Sequence, residues 1–406
     1  MIKYSQLLLA SISNLLYNKI SCIDINYSKG GYSMYSQITN HYHPGIKRPK
    51  LYTEQQVLWA PHPGWGYAHH AQIVWFKGRY YVMFSSGRFN EDDTGQRIMY
   101  TSSEDFETWT EPEILIDSMP GVYGDAVAIP RCWHTDGNTL IAYYLHFEYT
   151  EDWIVDGNRK PGSKGRMNWG HSMITSEDGI HWSDPQPSEN EAGNQRPRSL
   201  LSGRLLCPGG TKLAYTDDPT GMSGWKNVAC CDPRYPNKAV AEDGDGTTSS
   251  GIVNNTTVGL CEADFVQQKD GTIWMLMRSG TNYLWASKST DDGETWTLPE
   301  PTKFTDNRTK FALGQLPSGK YFYVGTPDPF PPRTRHVLAL SLSDDGIDYN
   351  QHFLLDDTQY KGKVIGLDKN GIYGYPSVLI RDGYMHIVFS LCKETIVAMR
   401  LPCETL

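Results

Sequence analysis

Two adjacent histidines, His69 and His70, stand at the head of an apolar strand in the stretch Gly66 to Gly95, which reads GYAHHAQIVWFKGRYYVMFSSGRFNEDDTG. Imidazole titrates near neutral pH, so such a pair can take or give a proton where most side chains cannot. Comparable places, just ahead of or within later apolar runs, hold Tyr123, Arg131, Arg196, Glu262, Lys310, Tyr373 and Tyr375, and Arg278 closes the run that follows Glu262. Phenol, imidazole, carboxylate and guanidinium together suit proton transfer beside an anionic sugar. Successive side chains on a strand face opposite ways, so only one of the two histidines is expected at a shared site, and His70 is the first choice.

These residues are carried by short hairpins. Ala71 to Phe76 and Tyr80 to Ser85 have strand composition and are reversed by a Lys-Gly turn. Five further hairpins read the same way: Ala126 to Tyr144, Leu200 to Tyr215, Ala263 to Met277, Phe311 to Val324 and Ser377 to Phe389. With 25 Tyr, 12 Trp, 38 Gly and 24 Pro and no long helical periodicity, the chain is expected to be all-β. Glu151 to Trp169 and Asp217 to Val258 interrupt the hairpins and read as inserted loops.

Between the hairpins a phrase recurs: Ser102 to Trp109 (SSEDFETW), Thr175 to Trp182 (TSEDGIHW), Ser289 to Trp296 (STDDGETW) and Leu342 to Tyr349 (LSDDGIDY). The third copy resembles the Asp-box, S-x-D-x-G-x-x-W, of the sialidase-like β-propellers. The acidic side chain is expected to cap a turn, glycine to take positive φ and tryptophan to pack between blades, so the boxes are structural. The gap from 175 to 289 is about two repeats long, which places a decayed box near Gly224-Trp225. The resemblance implies a single propeller of four-stranded antiparallel blades. Six are visible, a seventh before residue 60 shows no hairpin, and Gln55 to Trp59 is expected to supply the last blade's outer strand.

In such a propeller the starts of the inner strands meet near the axis, which gathers the candidates named above. Tyr375 in Gly-Tyr-Pro-Ser-Val-Leu resembles the tyrosine that sialidases use as nucleophile, and Glu262 followed by Arg278 resembles its glutamate partner and one of three carboxylate-binding arginines. The family's opening Arg-Ile-Pro is absent, and His69-His70 stands in its place; near the third arginine are Lys310 and Arg308. His70 together with Asn90 to Arg97 (NEDDTGQR) also resembles the propeller lyases and hydrolases of uronate polysaccharides, such as ulvan lyases and rhamnosyl-glucuronate enzymes. That likeness implies β-elimination at a uronic acid, with His70 or His69 as base or acid, Tyr123 and Tyr375 as proton donors or sugar contacts, and Arg131 and Arg278 neutralising the carboxylate. Arg196, Lys310 and Tyr373 complete the expected binding set. A sialidase-like or rhamnosyl-glucuronate hydrolase using Tyr375 with Glu262 is the alternative, and a non-catalytic glycan-binding propeller the third reading.

Net charge of −9 argues against nucleic acid as a partner. The expected partner is an acidic polysaccharide or oligosaccharide, with no membrane contact and a monomeric protein. No cofactor is required, although His62, His69 and His70 leave room for zinc, and calcium near the axis is equally open. The eight cysteines form no C-x-x-C pair. Residues 1–22 pass for a secretory signal, Asn26, Asn254, Asn255 and Asn307 lie in N-x-S/T sequons, and a secreted protein is expected, with an extension over 23–53 and the propeller over 54–406.

Overall fold

The first hairpin gains two more strands to become a blade: Tyr67–Phe76, Arg79–Gly87, Arg97–Ser103 and Glu113–Ile116 pair antiparallel in chain order from the axis outward. In the computed structural model, which describes residues 37–162, 165–230, 240–242, 249–253 and 256–406, this pattern repeats. Blades two to five begin with Val127–Thr135, Arg198–Ser199, Thr256–Gln267 and Ala312–Gln315, each followed outward by its next three strands. Blade six consists of Tyr373–Arg381, Tyr384–Leu391, Thr395–Pro402 and, as its outer strand, Glu54–Trp59. Glu54 lies opposite Arg400 and Val57 opposite Val397, so the early strand closes the ring as expected. Six blades are present among the described residues.

Both faces of every blade are buried, because each packs on two neighbours. Six hydrophobic clusters fill the six junctions in turn, from Val74, Trp133 and Ile174 between blades one and two to Leu379, Val388 and Val82 between six and one. Backbone groups at the axis are tied by side chains. Gln72 Nε2 donates to Asn194 O at 3.1 Å, Gln195 Nε2 to Phe311 O at 2.6 Å and to Pro376 O at 3.2 Å, and Leu313 N donates to Asp264 Oδ2 at 2.7 Å. The first three bonds link blades one, five and six through the segment ahead of blade three and the last joins blade five to blade four, satisfying polar groups that would otherwise be stranded.

The Asp-boxes are outer turns. In the third, Ser289 Oγ donates to Asp291 Oδ1 at 2.7 Å, Thr295 N donates to the same oxygen at 3.0 Å, and Gly293 sits at φ +83°. Trp296, 4% exposed, packs between blades three and four with its Nε1 on Gly293 O at 2.9 Å. In the other three copies the capping serine is Ser103, Ser176 or Ser343, one residue into the phrase, so those turns are one residue shorter. The decayed copy is also found: Asp218 caps Thr220 N at 2.9 Å, and Trp225 Nε1 donates to Gly221 O at 2.7 Å.

Several expectations change. Asp217 to Val258 is not one inserted loop, since Lys226–Ala229 is blade three's outer strand and Val240–Glu242 and Ser249–Val253 extend the blade-four sheet. Asn307 is 0% exposed and its amide donates to Asp328 O and Pro331 O, which removes it as a glycan acceptor in the folded chain. Residues 37–53 run beside blades four and five, with bridges from Thr39 to Asp348 and Lys303 and from Lys50 to Leu354. The expected signal over 1–22, the start of the extension and the sequons at Asn26, Asn254 and Asn255 lie outside the described residues. Because Trp296 fills a junction between blades, Trp296→Ala is expected to cost about 3–5 kcal/mol in urea unfolding. A loss below about 1 kcal/mol would show that the box tryptophan does not carry that junction.

Candidate active site

Four inner strands carry one residue too many at their mouths. Register slips occur between His69 and Gln72, Pro130 and Cys132, Cys261 and Ala263, and Gly374 and Ser377. His70, Arg131, Glu262 and Tyr375 lie within these bulges, and His70, Glu262 and Tyr375 adopt left-handed backbone at φ +57°, +49° and +55°. A bulge re-aims a side chain out of the sheet's two faces. All four border one cavity of about 550 Å³ at the axis, a volume suited to a small-molecule or oligosaccharide ligand.

On its blade-four and blade-six side the cavity holds a linked trio. Tyr375 Oη donates to Glu262 Oε1, Arg278 Nη1 donates to Glu262 Oε2 at 2.5 Å, and the same Nη1 lies 3.1 Å from Tyr375 Oη. Burial alone would raise the Glu262 carboxyl, but Arg278 and the Tyr375 hydrogen bond outweigh it and bring the carboxyl to about 2. Burial and the Glu262 charge push the Tyr375 phenol well above its ordinary value. Tyr375 is therefore a phenol whose proton is already directed at an ionised carboxylate.

Around this trio stand cations. Lys310 Nζ donates to Asn194 O at 2.7 Å, lies 5.5 Å from the Tyr375 ring centre, and is lowered by burial to about 8. The Arg335 guanidinium lies 5.9 Å over the same ring and donates from Nη2 to Arg308 O at 2.7 Å, while its buried Nε and Nη1 have no hydrogen-bond partner. Lys393 is paired with Glu91 and donates to Asp368 O at 2.8 Å.

The two histidines both approach Tyr375, against the alternation expected of a strand. His69 lies 4.0 Å and His70 5.3 Å from its ring centre, because the bulge at His70 breaks the alternation. His69 is fully buried, with Nδ1 2.7 Å from Ser390 Oγ, and does not border the cavity; His70 does, with Nδ1 2.9 Å from Ser85 Oγ. Gly374 makes room for this arrangement, since a Cβ there would come within 2.8 Å of His69 Cε1. Burial holds both imidazoles neutral, His69 well below its ordinary value and His70 at about 4.

His69, His70 and Glu91 bring two nitrogens and a carboxylate oxygen within 4.8 Å of one another, a set able to hold a cation. Glu91 takes the place expected of His62, whose ring packs on Trp59 at 4.7 Å instead. The ammonium of Lys393 is paired with the other oxygen of this carboxylate, Oε2, and its positive charge opposes a metal ion beside it.

The remaining expected residues divide. Arg131, Arg278 and Lys310 border the cavity. Tyr123 does not: it is 46% exposed on the loop between blades one and two. Tyr373 is 0% exposed, packs against Phe389 and donates to Thr358 O at 3.0 Å, so its role is in the core. Arg196, lowered by burial to about 10, borders a separate cavity of about 140 Å³ between the innermost strands of blades three to six. The guanidinium over Tyr375 comes from Arg335 instead of Arg308, although Arg308 borders the cavity too. Glu91, Lys393 and Arg335 were not singled out from sequence; only Glu91 had a signal, within the NEDDTGQR phrase. The Glu151 to Trp169 stretch is not a single inserted loop: Ile154–Val155 and Asn158–Arg159 form a short hairpin, which brings Arg159 to Asp368 at 2.7 Å, and Arg166–Ser176 is blade two's third strand, which brings Trp169 to the cavity's edge.

Residues 78–387 match the BNR repeat-like domain. The chain belongs to that family. BNR repeats accord with the four boxes, and the solved structures similar to this BNR protein include sialidases. A sialidase shares 18% identity with a TM-score of 0.60, over 90% of this chain and 33% of that one. Trypanosoma rangeli sialidase with the inhibitor DANA shares 14% at 0.60, over 86% and 59%. A protein of unknown function from Dyadobacter fermentans DSM 18053 shares 16% at 0.55, over 89% and 100%. The BNR protein thus spans about a third to three fifths of the length of those two sialidases. At these identities the likeness establishes the sialidase-like fold. No curated protein matches the BNR protein by sequence.

Acid is expected to loosen the site. An unfolded histidine binds its proton near pH 6.5 and His70 only near 4, so between these values the unfolded chain holds more protons. The His70 contribution is complete above pH 6.5 and fades as pH falls toward 4, by on the order of 3 kcal/mol. Urea melts of wild type and His70→Gln across this window test it. An equally steep decline in both would show that the buried imidazole is not its source.

Proposed function

We propose that the protein is a carbohydrate-active enzyme that hydrolyses a glycosidic bond next to an anionic sugar. The observation that carries this reading is the Tyr375–Glu262 hydrogen bond, held by Arg278 inside a cavity bordered by cations. A nucleophile whose proton points at an ionised base is the arrangement covalent catalysis needs. As Tyr375 Oη bonds to the anomeric carbon, its proton passes to Glu262, and the bond from that carbon to the leaving oxygen breaks. Asp92, which borders the cavity from the blade-one loop, is the proposed proton donor to the leaving oxygen. Water then attacks the tyrosyl-linked sugar, giving one proton to Asp92, and Glu262 returns its proton to the released tyrosine oxygen. Arg278, Arg335 and Lys310 neutralise the sugar's carboxylate, which guanidinium pairs hold with defined geometry.

One observation favours elimination as the second reading. His70 borders the cavity as a neutral imidazole whose Nε2 lies 3.9 Å from Glu91 Oε1, too far for a hydrogen bond, and it is placed to remove the C5 proton of a uronate. Secretion, the monomeric state, an acidic glycan as partner and a catalytic cycle needing no cofactor remain part of the proposal.

A panel of uronate and sialyl glycans, followed for new reducing ends and for absorbance near 235 nm, separates the two. Hydrolysis gives new ends with no absorbance, and Glu262→Gln and Tyr375→Phe are each expected to slow it by at least about 10²–10⁴-fold. An absorbance rise that persists in Glu262→Gln and vanishes in His70→Gln would replace hydrolysis by elimination.

A further inference from the structure

Blade three stands across the ring from blade six, and the cavity wall it forms with blade two is not used by the proposed chemistry. Three buried polar atoms on residues of this wall have no hydrogen-bond partner: Arg131 Nε, His171 Nδ1 and Thr211 Oγ1. Buried polar atoms are nearly always paired, so three unpaired atoms along one wall mark a place where small side-chain shifts toward a ligand would complete them. Arg131 is the bulge residue of blade two, His171 lies on that blade's third strand Arg166–Ser176, and Thr211 is 1% exposed at the turn before Lys212–Thr216. Lys212 borders the same wall from its exposed side.

The wall is electropositive. Burial, with Arg131 and Lys212 close enough to add to it, holds the His171 ring at about 4, so this imidazole is neutral and can donate one proton to a ligand. Among the described residues, the acidic side chain bordering this wall is Glu191, which is exposed, while the cavity's other carboxylates, Glu91, Asp92 and Glu262, belong to blades one and four. Glu91 and Glu262 are paired with Lys393 and Arg278, and Asp92 lies 3.5 Å from Arg166.

We infer that the Arg131–His171–Thr211 wall, with Lys212, is a second anion subsite that takes a negatively charged substituent on the sugar unit next to the one held at Tyr375. The substituent is an O-sulfate or a second carboxylate, both of which accept several hydrogen bonds at once. The inference rests on the reading of the cavity as a glycan site, and it makes the preferred substrate doubly anionic over two adjacent sugars.

Binding to full-length Tyr375→Phe, measured by calorimetry, tests this without relying on turnover. The probes are an unsulfated chondroitin disaccharide, its 4-O- and 6-O-sulfated forms, and digalacturonate. A doubly anionic probe is expected to bind about 10–100-fold more tightly than the unsulfated one, and the sulfated and dicarboxylate arms show which anion is preferred. Adding Arg131→Met is expected to bring that ratio toward one. Lys212→Gln, at an exposed position, should lower it in the same direction and stands in if Arg131→Met does not fold. Equal affinities, or a preference that survives both substitutions, would overturn the subsite while leaving the glycan reading intact. No binding of any probe would overturn both, and tight binding with no turnover by wild type would overturn hydrolysis alone.

Discussion

A strand has two faces, and in this ring both are spent on neighbouring blades. The six clusters between blades take most side chains of each inner strand in alternation, which leaves few aimed along the axis. Where the alternation fails, a side chain is re-aimed toward the centre. The extra residues at the mouths of blades one, two, four and six are those failures, and His70, Arg131, Glu262 and Tyr375 occupy them. Three of the four hold left-handed backbone, which costs non-glycine residues free energy. The packed junctions on either side supply the stability that offsets it.

The chemistry of the site follows from placing those residues where water is scarce. Burial acts on every group alike in disfavouring charge, so the outcome depends on partners. Glu262 has Arg278 and stays ionised; His69 and His70 are held neutral by burial, to which Lys393 and Lys310 add at both, and together these outweigh the Glu91 and Glu262 charges at His70. The phenol of Tyr375 and the carboxylate of Glu262 are thereby pushed apart in acidity within one hydrogen bond. The surrounding positive charge makes the cavity a poor host for a cation and a good one for an anion, which weighs against the His69–His70–Glu91 set as a metal centre.

The repeat was legible because its residues are tied to local geometry. A serine, an aspartate and a glycine make a turn within a few residues, and the tryptophan follows at a fixed distance, so the boxes, the hairpins and the closing strand could be read from spacing. Tyr375, Glu262 and Arg278 were legible through their likeness to a family motif. The misassigned residues were placed by a rule that position before an inner strand implies position at the axis. Tyr123 lies on a long connection to which the rule does not apply, Tyr373 precedes the bulge by two residues and turns into the core, and Arg196 enters further down the axis. Arg335 and Lys393 escaped notice for the opposite reason: they lie in the connections between the second and third strands of blades five and six, where no local signal marks a reach to the cavity. The paired approach of His69 and His70 was hidden because a bulge leaves no trace in a pattern of residue types.

The closing strand has a consequence in time. Five blades form from strands that follow one another along the chain, but the sixth joins Glu54 to Arg400 across 346 residues. Loop-closure entropy grows only with the logarithm of length, so this junction costs little in final stability, yet contacts this distant in sequence form slowly. Glu54–Trp59 is made early and has no partner until Thr395–Pro402 emerges, and each remains an open edge until they meet. The slowest event in folding should therefore be the meeting of these two strands, and the interval before it is when the chain is most open to pairing with another copy of itself.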